Sequence, residues 1–382
     1  MTTRVLLTGG GTGGHVYPAL AVAEALRRLD PRVDIRFVGG RRGIEGRLVP
    51  EHGFRLHRFP AAGMRGLGLM GALRFAISFG VAAALTLGLF LRWRPHLVIA
   101  TGGYASAAPA ATCATLGTPL WLQEQNSAPG STNRVLARFA ERAYVAFDPA
   151  RKALAAAKSI HDAPNPVRHV IREAAGAPAT DADYERFDLR PGVPTLFVFG
   201  GSGGASSLNR AMAAAWPRLR DETEWQVLLQ TGERDLESTL AVVNRAQDDT
   251  LRARVLSYID DMGAAYRVAD LVVSRAGALT LAELTTVGKP ALLVPFPHAT
   301  DDHQRHNAQA LADAGAARWI DDAELDGDRL MGEIRALIDD PDARQAMGRA
   351  ACAWAGATDG AEIIARDALD RIHGTSAGDH LA

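Results

Sequence analysis

A glycine-rich stretch near the start of the chain contains the first residues that could take part in chemistry. It reads Gly9-Gly10-Gly11-Thr12-Gly13-Gly14-His15 and lies between a short apolar run and a helical pattern. This order predicts a strand, a glycine turn and a helix. Glycines allow a ligand to approach backbone N–H groups closely, and the positive end of the helix dipole adds its attraction. The loop is therefore suited to a diphosphate, with the His15 ring beside it.

The same glycine spacing fits the dinucleotide-binding fingerprint, which also requires an acidic residue at the end of the second strand. Here the second predicted strand, residues 34–38, leads into Gly39-Gly40-Arg41-Arg42 without a carboxylate. This disfavours a nicotinamide cofactor, although either arginine could meet a 2′-phosphate. No Gly-Lys-Ser/Thr follows the glycines, which excludes a P-loop.

Three later strand ends carry similar turns. They are Thr101-Gly102-Gly103-Tyr104, Gln123-Glu124-Gln125-Asn126 and Gly200-Gly201-Ser202-Gly203-Gly204. Ligands in open α/β sheets collect at the carboxyl ends of the strands, so these turns are expected to line binding sites. The turn that begins at Gln123 is typical of a sugar-binding edge, because four hydrogen-bonding side chains follow one another. The turn that begins at Gly200 is another predicted anion cradle.

A further small-residue turn, Ser274-Arg275-Ala276-Gly277-Ala278, opens a predicted helix in the second half of the chain. Glu283 lies about one turn into this helix, where its carboxylate can accept two hydrogen bonds from a ribose diol. His298, His303 and His306 follow a later strand and invite a metal interpretation. Loop histidines without further supporting groups are more often hydrogen-bonding residues, so no metal is predicted.

Alternating strands and helices predict an α/β protein with parallel sheets covered on both faces. The 382 residues are enough for two domains, and Ala163-Pro164-Asn165-Pro166 is typical of a stiff connector. Each half opens with a glycine turn, so we expect twin doubly wound domains facing across a cleft. The two cysteines give no disulfide framework, and the N-terminus leads directly into a strand. Both features indicate a cytoplasmic protein without a signal peptide.

The charge is distributed unevenly, although the net charge is only −1. Residues 1–165 contain 20 Lys and Arg against 9 Asp and Glu, whereas the remaining residues contain 22 against 34. A basic half on a nearly neutral protein indicates an anionic partner for that half. Nucleic acid and the anionic inner leaflet of a membrane are both candidates.

An apolar run without charged residues, Phe75–Leu91, lies within this basic half. At about 17 residues it is at the short limit for a transmembrane helix. Both flanks belong to one α/β pattern, which argues against a span. Two other interpretations stay open: a buried helix of the domain, and a helix that shows an apolar face to the membrane with arginines around it.

Taken together, these stretches resemble the MurG family, the lipid II-forming UDP-N-acetylglucosamine transferases of glycosyltransferase family 28. The resemblance extends over nearly the whole chain. It rests on Gly10–His15, Gly102-Gly103-Tyr104, Glu124-Gln125-Asn126, Asn165–Arg168, Gly200-Gly201-Ser202, Ser274–Thr280 with Glu283, and His303-Gln304 with Asn307. It implies a GT-B fold of two Rossmann-like domains. Residues 1–164 would bind the acceptor and the membrane, residues 165–350 would bind UDP-GlcNAc, and the helical segment 351–382 would cross back to the first domain.

The resemblance also implies the reaction and its partners. GlcNAc would move, with inversion, from UDP-GlcNAc to the MurNAc 4-hydroxyl of undecaprenyl-diphospho-MurNAc-pentapeptide (lipid I). The enzyme would be peripheral, on the cytoplasmic face of the bacterial inner membrane, with an anionic membrane surface and cell-wall synthesis and division proteins as partners. No cofactor, metal or nucleic acid is expected.

Site residues follow from the same resemblance. Those implied beside the acceptor diphosphate and the sugar are Thr12, Gly13, Gly14 and Asn126. Those implied on the donor side are Arg168, Ser202, Ile259, Ala278, Leu279, Thr280, Leu281, Ala282, Glu283 and Gln304. Ile259 would meet uracil through its backbone, the turn from Ala278 to Glu283 would cradle diphosphate and ribose, and Gln304 would bind GlcNAc hydroxyls.

Inversion needs a base that removes the proton of the attacking hydroxyl as an oxocarbenium-like transition state forms. His15 is the first candidate, because neutral imidazole is available near pH 7. Glu124 is the second. N–H groups at the start of the helix that follows Gly277 would stabilise the leaving UDP without a metal.

Two positions depart from the family pattern. Gly203 replaces a glutamine, which removes one donor-side amide contact. Gln123 replaces a histidine, which argues against a catalytic role for that side chain. Three other classes of protein stay open: a dehydrogenase, a UDP-GlcNAc 2-epimerase of the same fold, and a non-catalytic membrane scaffold.

Overall fold

A computed structural model describes residues 2–62, 68–201, 203–222, 224–245, 253–299 and 302–374. The chain divides into two compact units. The first unit contains Met1–His169 and Thr358–Ala382, and the second contains Val170–Ala357. Each unit is built on one parallel sheet.

The helices and strands alternate along the chain. As far as the connector they are β1 (Arg4–Gly9), α1 (Gly13–Leu29), β2 (Asp34–Gly40), α2 (Glu45–Glu51), β3 (Arg55–Phe59), α3 (Gly68–Trp93), β4 (Leu97–Gly102), α4 (Ala107–Thr115), β5 (Leu120–Glu124), α5 (Ser131–Leu136), β6 (Arg142–Val145), α6 (Ala150–Ala153) and β7 (Ser159–Asp162). After it come α7 (His169–Ala174), α8 (Asp181–Arg186), β8 (Thr195–Phe199), α9 (Ser206–Glu222), β9 (Gln226–Gln230), α10 (Leu236–Arg245), β10 (Ala253–Leu256), α11 (Met262–Val268), β11 (Leu271–Ser274), α12 (Ala278–Val287), β12 (Ala291–Leu293), α13 (His303–Asp313), β13 (Arg318–Trp319), α14 (Gly327–Ile338), α15 (Pro341–Ala355) and α16 (Gly360–His373).

The two sheets share one topology. The first has seven strands in the order β3-β2-β1-β4-β5-β6-β7, and the second has six in the order β10-β9-β8-β11-β12-β13. In each, the winding direction reverses beside the first strand, between β1 and β4 or between β8 and β11. Such a switch point leaves a crevice at the carboxyl ends of the two strands, where doubly wound folds bind their ligands. Glycine turns follow β1, β4 and β8, and a small-residue turn follows β11.

The strands are apolar on both faces because helices cover both. In β1, Val5 and Leu7 pack into a core with α1 and α16. Leu6 lies between them and packs on the opposite face, in a core that includes Trp93 and residues of α4. In the second unit, one face of β8 packs against α9 and α14.

The apolar run of the first half forms most of α3, which connects two parallel strands of one sheet, β3 and β4. Trp93 anchors the end of this helix, since its indole N–H donates to Asp34 at 2.6 Å. Residues Met70–Trp93 are long and apolar enough to cross a membrane, with a mean hydropathy of 1.8 over an 18-residue window. Only 11% of that window is buried inside the protein. The interpretation of this run as a buried core helix is therefore wrong.

The last described helix, α16, belongs to the first unit, whereas α15 belongs to the second. Its Asp367 accepts a hydrogen bond from Tyr144 at 2.7 Å, and its Arg371 forms an ion pair with Glu141 at 2.8 Å. A side chain at Gly360 would collide with the backbone carbonyl of Pro164. Residues 360–373 thus complete the core on the α1 side of the first sheet.

Candidate active site

The switch point of the first unit places His15 against the end of β4. Thr12 is extended and precedes α1, and its carbonyl accepts hydrogen bonds from the N–H groups of His15 and Val16 at 3.2 Å each. The Nδ1 atom of His15 lies 2.9 Å from the carbonyl oxygen of Thr101. Because a carbonyl only accepts, Nδ1 carries the hydrogen. In the neutral ring the lone pair is then on Nε2, which is the basic nitrogen.

The glycines after β4 make room for this ring. Gly102 and Gly103 have φ values of 97° and 80°, a region that side chains rarely adopt. A Cβ at Gly102 would lie 3.1 Å from the ring of His15, and one at Gly103 would collide with the Gly10 carbonyl. The turns after β1 and β4 therefore pack directly on each other, with the imidazole between them.

A buried carboxylate lies beneath the first glycine turn. Glu45 accepts hydrogen bonds from the N–H of Gly11 at 3.0 Å and from the N–H of Gly40 at 2.7 Å. Its side chain fills the space that Cβ atoms at Gly10 and Gly39 would need. The end of β2 thus has a carboxylate that the sequence analysis did not foresee. A backbone N–H donates to each of its two oxygens, and the absence of a nicotinamide cofactor stays a prediction.

Glu124, the second candidate base, orders the loop that follows β5. Its carboxylate accepts hydrogen bonds from the N–H of Asn126 at 2.9 Å and from the side-chain amides of Asn126 and Asn133 at 3.2 and 2.9 Å. The N–H of Gly130 donates as well, at 3.3 Å. Four donors thus surround this buried carboxylate, and the Nδ2 of Asn126 is directed towards Glu124.

Gln123 and Gln125 belong to a buried network behind His15. The amide of Gln125 donates to the Thr101 carbonyl at 2.8 Å, the same oxygen that His15 contacts. Gln123 donates to Asn165 at 3.2 Å, and Asn165 donates to the Gln125 carbonyl at 3.0 Å. Gln123 thus supports the connector.

Arg168, predicted near the donor, packs in the first unit. Its guanidinium lies 4.2 Å from the centre of the Tyr17 ring, a cation–π contact on α1. A Cβ at Gly13 would lie 3.2 Å from the same ring. The structure therefore brings Arg168 near the start of α1, and its proximity to the donor stays a prediction.

In the second unit a glutamine fastens the glycine turn after β8. Gln230 donates to the carbonyl of Gly201 at 3.0 Å and accepts from the N–H of Ile259 at 2.8 Å. Of the two backbone groups that could meet uracil at Ile259, the N–H is thus engaged. Ser202 lies outside the described residues. A Cβ at Gly203 would have no atom within 4 Å.

The turn after β11 opens α12, whose first residue is Ala278. Gly277 is extended at the cap position and no side chain caps the helix. The first N–H groups of a helix have no partner within it, so those of Ala278, Leu279 and Thr280 are directed out of its positive end. Leu281 is buried and Ala282 is half-buried.

Glu283 and Gln304 flank this helix start. The hydroxyl of Tyr266 donates to Glu283 at 3.0 Å, and Tyr266 is itself held edge-on by the rings of Phe197 and Phe199. The carbonyl oxygen of Gln304 accepts from the N–H of Phe296 at 3.0 Å. Its NH₂ group lies about 4.0 Å from where a Cβ at Gly277 would be. Gln304 therefore presents two donors beside α12.

Arg275, within the same motif, is a scaffold residue. Its guanidinium donates to the carbonyls of Val294 and Pro295 at 3.1 and 3.0 Å, and it pairs with Asp322 at 2.5 Å. The sequence motif alone could not separate this role from ligand binding. Among the residues that the structure describes, no three His, Cys, Asp or Glu side chains are grouped to hold a metal ion.

Comparison with known proteins identifies the family to which this chain belongs. The N-terminal domain of glycosyltransferase family 28 matches residues 5–145, and its C-terminal domain matches residues 195–364. Two relatives are named UDP-N-acetylglucosamine--N-acetylmuramyl-(pentapeptide) pyrophosphoryl-undecaprenol N-acetylglucosamine transferase. That of Anaeromyxobacter sp. (strain K) is 42% identical over 349 residues, 91% of this chain and 88% of its own. That of Geobacter metallireducens is 39% identical over 363 residues, 94% and 96% of the two chains.

Solved structures agree on the fold. The crystal structure of Acinetobacter baumannii MurG matches with a TM-score of 0.70 at 27% identity, covering 96% of this chain and 99% of that one. A UDP-N-acetylglucosamine 2-epimerase matches with a TM-score of 0.71, over 99% and 98% of the chains, but at 13% identity, which shows the fold alone. The predicted GT-B fold and the predicted glycosyltransferase activity are confirmed. The chain belongs to the MurG family of UDP-N-acetylglucosamine transferases in glycosyltransferase family 28.

Proposed function

We propose that the enzyme transfers GlcNAc from UDP-GlcNAc to the MurNAc 4-hydroxyl of undecaprenyl-diphospho-MurNAc-pentapeptide, inverting the anomeric centre to form lipid II. One observation carries this assignment. Both substrates contain a diphosphate, and each unit has one switch point with a glycine turn and a helix start. We assign the acceptor to the first unit, residues 1–164 of the predicted division, and the donor to the second, residues 165–350.

On the acceptor side the start of α1 holds the diphosphate. Thr12 and Gly14 are exposed, and no acidic residue occupies the first turn of the helix. Gly13 and Gly14 carry N–H groups that the helix itself does not use. Asn126 contacts the sugar through its side-chain oxygen, because its Nδ2 is engaged by Glu124.

His15 is the general base. The Thr101 carbonyl holds the hydrogen on Nδ1 and so leaves Nε2 to take the proton of the 4-hydroxyl. Half exposure lets the ring reach a ligand. Glu124 is the weaker candidate, because four donors from its own loop already surround the carboxylate.

On the donor side the start of α12 takes the diphosphate. N–H groups at Ala278, Leu279 and Thr280 stabilise the negative charge that grows on the leaving UDP, and no metal is needed for this step. Glu283, positioned by Tyr266, accepts from the ribose hydroxyls. Gln304 donates to GlcNAc hydroxyls through its NH₂ group.

Uracil is read by the strand-end residue Ile259. Its N–H already donates to Gln230, so we assign the contact to the carbonyl, which can accept the N3–H of the base. Gln230 also donates to the Gly201 carbonyl in the glycine turn after β8. One side chain therefore holds both this turn and the residue that reads the base.

The outer face of α3 accounts for membrane association. Leu73, Ile77 and Leu91 are exposed there, and Arg74 and Arg92 on the same helix are exposed as well. Each basic residue near an anionic leaflet contributes on the order of 1 kcal/mol. We assign the enzyme to the cytoplasmic face of the inner membrane as a peripheral protein. Cell-wall synthesis and division proteins stay predicted partners without an assigned surface.

The test is UDP release from UDP-GlcNAc in detergent, with and without a lipid I analogue. We expect release that depends on the acceptor, together with a disaccharide product. Release without acceptor would instead indicate epimerase or hydrolase chemistry, and donor binding without turnover would revive the scaffold interpretation. Glu283→Ala should weaken UDP-GlcNAc binding, whereas the exposed Glu237→Ala in the same unit is the matched control.

A further inference from the structure

An apolar groove lies between α3 and the turn after β4. It is shallow and open to solvent. Phe75, Phe79 and Ala82 of α3 form one wall, and Tyr104 and Ala105 form the other. The two phenylalanine rings pack on each other with centroids 5.9 Å apart. No charged side chain lines the groove within the part of the chain that the structure describes.

One side of the groove is the proposed acceptor cradle. A Cβ at Gly11 would lie 3.0 Å from the ring of Tyr104, and one at Gly10 would lie 3.3 Å from the side chain of Ala105. The glycine turn after β1 and the groove thus share these two residues as a common wall. A ligand group attached to a diphosphate in the cradle could enter the groove directly.

The groove is also continuous with the outer face of α3. Residues of one side of the helix line the groove, whereas Ile77 and Val81, on the outer side, are 59% and 44% exposed. Apolar side chains of α3 therefore lie both in the groove and on the exposed outer face of the helix.

We propose that this groove binds the first isoprene units of the acceptor, those next to its diphosphate. The inference rests on the proposed function, because that function supplies a lipid chain esterified to the diphosphate. In the part of the chain that the structure describes, this groove is lined by uncharged and mostly apolar side chains, which suit a hydrocarbon chain and not the carboxylates of the acceptor peptide. The groove is shallow and open at the surface, so it would hold only a short segment and leave the rest of the chain to the bilayer.

The experiment compares acceptors that differ only in chain length. MurNAc-peptide diphosphates bearing a methyl group or a ten-carbon prenyl chain are assayed in detergent with saturating UDP-GlcNAc. For the unaltered enzyme we expect the prenyl acceptor to have a lower KM, because chain carbons leave water on binding.

Phe79→Ala removes part of one wall, and Ala61→Leu fills the groove from the side of β3. Both should raise the KM of the prenyl acceptor roughly tenfold, while the kcat/KM of the methyl acceptor stays within about twofold. The methyl acceptor also reports whether the first unit has folded. Leu116→Ala, which removes a partly exposed apolar side chain at the far end of α4 that does not line the groove, is the matched control and should leave both KM values unchanged in detergent.

The outcomes distinguish a failure of the groove assignment from a failure of the proposed transferase reaction. Equal losses with both acceptors, or a chain-specific loss in Leu116→Ala alone, would overturn the groove assignment while the transferase activity stands. Absence of acceptor-dependent turnover with either acceptor in the unaltered enzyme would overturn the proposed function itself.

Discussion

At the switch point of the first unit a carboxylate fastens the glycine turn, whereas at that of the second unit an amide does so. Glu45 accepts from the N–H groups of Gly11 and Gly40. Gln230 donates to the carbonyl of Gly201 and accepts from the N–H of Ile259. The two side chains therefore hold their loops with opposite hydrogen-bond roles, and only one of them is charged.

We infer from this difference that one strand-turn-helix design serves two kinds of substrate. The first turn is tied to the neighbouring strand by a buried negative charge, and the His15 ring packs against it. The second turn is tied by a neutral side chain to the residue proposed to read uracil. We infer that the first switch point carries the chemistry and the second carries donor recognition. The predictions below test this division, from the largest expected effect to the smallest.

Replacing the proposed base should separate chemistry from donor binding. His15→Ala should lower kcat with lipid I by about 10²–10⁴-fold, because proton removal from the 4-hydroxyl is lost. The affinity for UDP-GlcNAc, measured by calorimetry, should not change, since the residues proposed to bind the diphosphate, ribose and GlcNAc of the donor belong to the second unit.

The control for His15 is His161→Ala, which removes a histidine of the same unit that bonds to Ser159 and not to a glycine turn. It should keep near-normal turnover. Normal turnover in His15→Ala with intact donor binding would show that the base is another group.

Exchanging the two fastening groups tests the opposite hydrogen-bond roles. In Glu45→Gln the new NH₂ group would face a backbone N–H, and one buried donor would lose its partner. In Gln230→Glu the new oxygen would face the Gly201 carbonyl. Each change should cost about 1–3 kcal/mol in the free energy of unfolding, measured by urea denaturation.

Activity distinguishes the two exchanges further. Glu45→Gln should raise the KM of the acceptor, and Gln230→Glu should raise the KM of the donor. The same substrate affected by both changes would contradict the division between the units.

The folding stability of the second unit should also depend on pH in the acidic range. Two hydrogen bonds from Arg267, at 2.5 and 2.9 Å, hold the pKa of the Asp183 carboxyl well below its usual range, and Thr180 adds to this effect. The stabilisation is present above about pH 4 and is lost as the pH falls further. Asp183→Asn should cost roughly 2 kcal/mol at pH 7 and somewhat less near pH 3, since most of the stabilisation is lost only as the pH falls further.

Thermal melting of both proteins across this range checks the prediction for Asp183. A difference in melting temperature that is independent of pH would mean that the ion pair is not the source of the stabilisation. Asp221→Asn, at an exposed pair in the same unit, is the control and should have little effect.

The smallest effect is expected at Gly203, one of the two positions that depart from the family pattern. Gly203→Gln should fold normally, because a Cβ there meets no atom within 4 Å. Its amide should lower the donor KM by up to about tenfold, the gain of one hydrogen bond. Gly204→Ala is the contrasting control, since φ is 75° and its Cβ would collide with the Thr231 carbonyl. Strong destabilisation by Gly203→Gln would contradict this geometry.

The strand-turn-helix units and their order follow from local patterns in the sequence. Apolar runs, glycine turns and helical periodicity are properties of neighbouring residues, so they predict both sheets and the turns that follow β1, β4, β8 and β11. The length of the apolar run also predicts a helix at α3, but only its packing shows which side is exposed.

The sequence could not predict that Glu45 and Gln230 hold the glycine turns, because each of them contacts residues that lie far away in the chain. Glu45 reaches Gly11 across 34 positions and Gln230 reaches Ile259 across 29. Nothing in the local sequence of Glu45 distinguishes it from a solvent-exposed acid in the first turn of a helix. Tyr266, which positions Glu283, was missed for the same reason.

Hydrogen–deuterium exchange of the enzyme with and without UDP tests the division between the two units most directly. We predict that UDP slows exchange in residues 277–283, at the start of α12, and leaves residues 10–15 unchanged. Slower exchange in residues 10–15, with no change in residues 277–283, would contradict the assignment of the donor to the second switch point.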